Sequence, residues 1–270
     1  MSGTNIQSAE LRREPRWAAP ARALALPIAL LAVWQVWAMT QPDVMRAPSP
    51  AHVVTTFMQL TASGDLPGAL LQSLGRVVAG FAVALLLGIV LGVAMGTSRI
   101  VRHLVEPIVE GFRPVAPMAI LPIAILWLGT GTSASVSIVA YAAFFPLLLN
   151  TVHGVIQVDR KLLQASRTMG VSDLRILRKV VLPAAMPSIL LGARLAMGVA
   201  WTAIIAAELA VGAKAGGGGS GGIGAMMFVF YAYSIDLNGI VVCMIVVGLV
   251  ALAIDRVFRL AERRLVPWKR

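Results

Sequence analysis

Leu74-Gly-Arg-Val-Val-Ala-Gly-Phe-Ala-Val-Ala-Leu-Leu-Leu-Gly-Ile-Val-Leu-Gly-Val-Ala-Met95 decides the fold class. This stretch holds a single charge, Arg76. An apolar run of about 18 residues or more is long enough to cross a bilayer as a helix. Gly80, Gly88, Gly92 and Gly96 recur at intervals of four or eight. That register lines one helix face with glycine, so a neighbouring helix backbone can approach closely.

Runs of the same kind lie on both sides. They are roughly Ala23–Met39, Ile108–Leu128, Ser135–Val155, Ile189–Val211 and Leu237–Phe258. The sequence therefore predicts an all-α, polytopic membrane protein of about six transmembrane helices. Composition agrees. The 270 residues are 58% hydrophobic and 13% charged, with a mean hydropathy of +0.83. Soluble domains are nearer about half apolar and a quarter charged. Cys243, the one cysteine, lies inside an apolar run, which excludes a disulfide framework within the chain.

A net charge of +11 raises nucleic acid as a partner. The positions of the charges argue against it, because they sit in the tails and between apolar runs. A nucleic-acid face needs a continuous basic patch and has no use for lipid-length segments. Arg12, Arg13, Arg16 and Arg22 precede the first run, and Arg99 and Arg102 follow the second. Arg160, Lys161, Arg167, Arg175, Arg178 and Lys179 follow the fourth, and the end of the chain has Arg256, Arg259, Arg263, Arg264, Lys269 and Arg270. All fall on one side of a six-span arrangement, whereas Arg46 and Lys214 fall on the other. The positive-inside rule then puts both termini in the cytoplasm of a multi-pass protein. The expected organisation is a cytoplasmic tail over 1–22, a transmembrane domain over 23–258 and a cytoplasmic tail over 259–270. Ala23–Met39 is long for a signal-peptide core, and no small-residue cleavage site follows at Thr40 to Pro42. It is expected to stay as the first helix.

Pro107, Pro114, Pro117 and Pro122 punctuate the third run. Proline removes a backbone donor and kinks a helix. Such a segment is tolerated at membrane depth where protein or a cavity surrounds it, which places it beside a path through the membrane.

The connection from Asp159 to Pro183 is too polar to span and too patterned for a linker. Leu162 to Met169 suits a short helix, and Gly170 is placed to end it in a left-handed cap. Ser172 is placed to cap the next helix, with Asp173 in its first turn. Leu174, Leu177 and Val181 share one face, and Pro183 is expected to stop that helix. An amphipathic segment lying on lipid is the plainer alternative; the central Gly-x-Ser turn favours a shaped docking element.

These residues resemble a known family. Gln164-Ala-Ser-Arg-Thr-Met-Gly170, followed by Leu182-Pro183, looks like the Glu-Ala-Ala signature of ABC importer permeases. Ala165, Gly170, Leu182 and Pro183 match, whereas Gln164 and Ser166 replace a glutamate and an alanine. Ser73-Leu-Gly-Arg76, the glycines through Gly96, Arg113-Pro-Val-Ala-Pro117, Leu121-Pro122, Trp127-Leu-Gly129 and Trp201 with Ala206-Ala-Glu-Leu209 follow in order. So does Arg263-Arg-Leu-Val-Pro-Trp268. Together they are similar to permeases for nitrate, taurine and other aliphatic sulfonates, and bicarbonate. One departure is Gly216-Gly-Gly-Gly-Ser-Gly-Gly222, a flexible composition that lengthens a loop on the outer side.

The resemblance implies a type I ABC importer permease fold in a bacterial inner membrane. It implies a homodimer, two cytoplasmic ATPase subunits and an extracytoplasmic solute-binding protein. The 159–183 connection becomes the coupling helix, and the cargo a small anion of the sulfonate, taurine, nitrate or bicarbonate class. ATP and Mg belong to the ATPase, since this chain has no Gly-x4-Gly-Lys-Ser/Thr phosphate loop. The chain itself is expected to have no catalytic residue, cofactor or metal site. His52, His103 and His153 lack metal-ligand spacing.

Arg113, Pro114, Pro117, Trp201 and Glu208 are the candidates for the path or its gate. Ionisable residues inside the membrane are functional hypotheses by default. Arg113 either pairs with Glu110, three residues back, or offers charge to an anion; the structural pair is favoured. Glu208 either lines the gate or pairs with a residue such as Lys214. Arg194 is expected to snorkel. An ion-coupled secondary transporter would need internal repeats and buried acids at mid-membrane, and an intramembrane enzyme would need a nucleophile or metal constellation. Neither pattern is visible. An ABC permease for another small organic solute stays as the alternative.

Overall fold

In the computed structural model, which describes residues 18–40, 48–214 and 221–265, two long helices set the frame. They are α3 (Asp65–Thr97) and α6 (Thr132–Ile156). The glycine face of α3 meets α6 in strict register. A Cβ at Gly80 would stand 2.6 Å from Val139 Cγ1, one at Gly92 2.7 Å from Thr151 Cβ, and one at Gly96 2.6 Å from Val155 Cβ. Partner numbers rise in step, so the helices run parallel. The predicted close approach is therefore observed, and a side chain at these positions would push the backbones apart.

The first two helices are α1 (Ala18–Thr40), which contains the expected first run, and α2 (Pro50–Ala62). Ser49 caps α2 by accepting the His52 N–H at 3.3 Å, with Pro50 at the first helical position, where its missing donor costs nothing. After α3 come α4 (Arg99–Phe112) and α5 (Pro117–Leu128). The expected third span is thus a broken pair, bent by 96°. After α6 come α7 (Arg160–Thr168) and α8 (Asp173–Ile176), a π-turn over Leu177–Val181, and α9 (Leu182–Lys214). The chain closes with α10 (Ile223–Val229), a π-turn over Phe230–Ser234 and α11 (Leu237–Leu265).

Among the described residues four helices are long and apolar enough to cross a bilayer, or five spans if the bent pair counts as one. Six were expected. The difference lies in the proline break of the third and in the first, of which Ile28–Thr40 forms a shorter apolar helix. Much of the expected tails and most of the Gly216–Gly222 stretch fall outside the described residues.

α9 runs antiparallel to α6. A Cβ at Gly192 would lie 2.6 Å from Asn150 Cβ, and one at Gly154 2.7 Å from Ser188 Cβ. The three-helix centre of α3, α6 and α9 buries Val77, Val139, Leu147, Ala200 and Trp201. Leu71, Val78 and Leu86 on α3 and Leu249 and Leu252 on α11 stay exposed. Such an apolar exterior suits lipid rather than water.

Pro183 does not stop a helix as expected. It lies in the first turn of α9, and Asp173–Gly212 is continuous as a span. The π-turn just before it explains this. There the Leu182 N–H reaches back to the Leu177 carbonyl, a wider turn that relieves the i−4 contact a proline ring cannot tolerate.

Candidate functional site

Three places carry the sequence candidates: the 159–183 connection at one end of the bundle, a cleft at mid-height and a polar cluster at the other end.

The connection is built as two short helices on a fixed turn. Asp159 opens α7 by accepting the Lys161 N–H at 2.8 Å. Gly170 has φ +70°. Its N–H donates to the Arg167 carbonyl at 2.9 Å, and the Val171 N–H to the Ser166 carbonyl at 3.2 Å. That pair of bonds is a Schellman ending, which requires a left-handed residue at this position. Ser172 stands at the cap of α8, but its side chain makes no capping bond; its carbonyl accepts the Arg175 and Ile176 N–H groups instead, both at 2.9 Å. Leu163, Val171, Ile176 and Val181 pack on Val155 and Val158, tying the turn to the bundle.

Ile176 anchors α8, and Leu174, which lines one pocket with Leu177 and Val181 as their shared face implies, is 77% exposed. Leu162 and Met169 are also exposed, as are Gln164 and Ala165, whereas Ser166 is buried and donates to the Leu162 carbonyl at 2.8 Å. Leu182 is half-buried and Pro183 exposed.

The cleft lies at the elbow between α4 and α5. Its volume is about 490 Å³, and Arg113, Pro117, Tyr141, Phe145, Asn150 and Val199 are among its lining residues. The Tyr141 hydroxyl donates its one proton to the Phe112 carbonyl at 2.7 Å, with the Val115 carbonyl a weaker, shared acceptor at 3.3 Å. It therefore holds the backbone on both sides of Arg113. The expected Arg113–Glu110 pair is not formed: among the described residues Arg113 has no ion-pair partner, and the pair on α4 is Arg102–Glu106 at 3.7 Å. Arg113 stands at the C-cap of α4 and is among the residues that line the cleft. Pro114 is exposed at the same elbow.

At the other end, Glu208 is 1% exposed and Arg76 4%. Arg76 Nη1 donates to Glu208 Oε1 at 2.7 Å and to the Gly221 carbonyl at 2.8 Å. Ser73 Oγ donates to Glu208 Oε2 at 2.7 Å and accepts the Ile223 N–H at 2.9 Å. The Gly224 N–H also donates to Oε2, at 3.1 Å. The cluster staples α3 to α9 and to the start of α10. A buried charge persists when it is paired and its remaining lone pairs are satisfied, and here both conditions hold. Glu208 is thus taken up by Arg76, Ser73 and the Gly224 N–H; the Lys214 side chain lies outside the described residues.

Two further placements correct the sequence expectation. Trp201 is 2% exposed in the centre of the core, and its indole N–H donates to the Val247 carbonyl at 3.1 Å. Arg194 does not snorkel alone: its Nε donates to Asp255 at 2.7 Å, and Asp255 also pairs with Arg259 at 2.6 Å. Sequence reasoning gave Ser73 and Arg76 no role beyond the family motif and did not single out Tyr141 or Asp255. The available signal was that Arg76 and Glu208 are lone charges in apolar runs, which obliges each to find a partner.

Comparison with known proteins fits this architecture. Residues 84–267 match the family described as binding-protein-dependent transport system inner membrane component. The taurine transport system permease protein TauC of Escherichia coli is 33% identical over 270 residues, covering 95% of this chain and 94% of that protein. The nitrate import permease protein NrtB of a Synechocystis strain is 32% identical over 263 residues, covering 94% and 90%. Among solved structures, a chain of the inward-facing MetNI methionine ABC transporter shares the fold with a TM-score of 0.63 at 20% identity, covering 76% of this chain and 98% of that one. With a matched segment of more than half its length and full-length relatives above 30% identity, the chain belongs to the binding-protein-dependent ABC transporter permeases, inner-membrane components of import systems.

Proposed function

We propose that two copies of this chain form the transmembrane path of an importer for small anions of the sulfonate, taurine, nitrate or bicarbonate class. Two ATPase subunits, using ATP and Mg, dock on the 159–183 connection, and a solute-binding protein delivers cargo at the opposite end. The relatives transport taurine and nitrate by name, which supports the cargo class. The clustering of basic residues at the α7 end and in both tails supports a cytoplasmic position for that end and for the termini.

One observation carries the coupling role. The turn at Gly170 is locked by a complete Schellman ending and anchored through Ile176, yet it presents Leu162, Met169 and Leu174 outward. A rigid element with uncovered apolar side chains suits a protein partner, because isolated exposed apolar clusters mark contact surfaces. Closure of the ATPase dimer would push on this element. The continuous Asp173–Gly212 helix would carry the displacement to the far end of the path.

The test is copurification. The ATPase subunit is expected to copurify with the wild-type chain and to be lost from Leu174→Arg, which places a charge in the apolar contact. Retention of the ATPase by Leu174→Arg and by Met169→Arg alike would refute docking at this surface.

A further inference from the structure

We infer that Arg113 is the resting point for the anion within this path: its guanidinium, held at the α4–α5 elbow, takes the oxyanion head of a small sulfonate, carboxylate or nitrate on its way through. The inference rests on the importer function proposed above and assigns the cargo a place inside the membrane domain.

Depth comes first. Tyr141 is the tenth residue of α6, a helix of 25 residues. At about 1.5 Å per residue, it stands about 14 Å from one end and about 22 Å from the other. The Phe112 and Val115 carbonyls lie against its hydroxyl, so Arg113 enters the cleft beside the middle third of α6, well inside a membrane-spanning helix. A charge at such depth is rare and marks an ion or substrate route unless it is paired.

Pairing is the second point. Arg76, the other deep arginine, is closed off by Glu208, Gly221 and burial. Arg113 is exposed to its cleft, with no carboxylate partner among the described residues. Its fork of donors is therefore available, and that fork matches planar and tetrahedral oxyanions in a two-bond contact.

Preorganisation is the third. Tyr141 binds the Phe112 carbonyl that precedes Arg113 and lies near the Val115 carbonyl beyond it, so the guanidinium starts from a defined backbone. The Tyr141 and Phe145 rings meet edge to face at 5.1 Å, and with Leu149 and Val199 they form an apolar wall. That wall suits a short organic body and strengthens the charge contact by excluding water.

The experiment uses the complete importer, permease with its ATPase and loaded binding protein, in proteoliposomes. Uptake of labelled taurine, ethanesulfonate and nitrate is measured for wild type, Arg113→Gln and Arg113→His. Arg113→Gln is expected to lose about 10- to 100-fold in uptake, the range for a hydrogen bond to a charged group. ATP hydrolysis stimulated by the loaded binding protein should remain, showing that the fold and docking survive. Arg113→His holds the protein constant while its charge changes. Relative to wild type, its uptake should rise about tenfold from pH 8 to pH 6 as the imidazole gains its proton. Besides Arg113, only Tyr141 titrates among the described residues lining the cleft, and its phenol stays neutral across that window.

Unchanged uptake in Arg113→Gln, or a flat profile in Arg113→His, would overturn the inference while leaving the importer function standing. Wild-type vesicles that take up none of the three anions would remove both. A deficit in Arg113→Gln seen only when the vesicles contain phosphatidylglycerol would assign Arg113 to a lipid headgroup and also overturn it.

Discussion

Arg76 and Arg113 make the most instructive pair in the molecule. Each interrupts an apolar segment, and each lies far from the basic tails. Arg76 is sealed into a network with Ser73, Glu208 and the backbone of Gly221, whereas Arg113 stands at an elbow with its donors facing a cleft. Local spacing suggests the reverse, because Arg113 has a carboxylate three residues away and Glu208 has no near cation within its own run. The difference teaches that the role of a deep charge is set by what the fold brings across from distant helices. The closed arginine braces the fold, whereas the open one is the residue proposed above to meet the cargo.

The contrast can be broken most sharply at Glu208. Glu208→Ala leaves Arg76 buried without its carboxylate, a loss expected at about 3–5 kcal/mol. Thermal unfolding in detergent checks it, and Arg76→Met combined with Glu208→Leu should recover most of the deficit. Wild-type stability in the single variant would mean that the pair braces nothing. Gly92→Leu comes next. Its Cβ would meet Thr151 Cβ at 2.7 Å, and forcing α3 from α6 should cost about 1–3 kcal/mol, the range for overpacking; Gly68→Leu, where nothing lies within 4 Å, is the control that should not move.

Gly170→Val is expected to cost about 1–2 kcal/mol, the penalty for a left-handed L-residue. Its larger mark should be functional: more ATP hydrolysed per solute imported. Unchanged coupling would show that the Schellman turn transmits nothing. Arg113→Gln should be the mildest for stability, within about 0.5 kcal/mol of wild type, even though its uptake falls. A large loss of stability there would put Arg113 in the same class as Arg76 and erase the comparison.

What the sequence made legible follows from which features are local. The glycine register of α3 is periodic along one helix, so its packing role could be read without knowing that α6 was the partner. Gly170 was legible for the same reason, since a helix ending is decided within a few residues. The proline cluster pointed to a break, though not to its 96° bend. The Arg76–Glu208 pair joins residues 132 positions apart, and nothing in either helix announces the other. Trp201, expected along the path, is buried in the core, because an apolar helix surrounded by apolar surfaces carries little polarity contrast to tell its inner face from its outer. In a membrane protein that contrast is weakest where it is most needed.

The most direct measurement is accumulation of labelled taurine in proteoliposomes that hold the permease with its ATPase and loaded binding protein. Accumulation against a gradient that requires ATP and the ATPase, and that collapses in Arg113→Gln but not in the repaired Arg76→Met/Glu208→Leu pair, is the expected result. Accumulation that proceeds without the ATPase, driven by an ion gradient and indifferent to Arg113, would contradict the account.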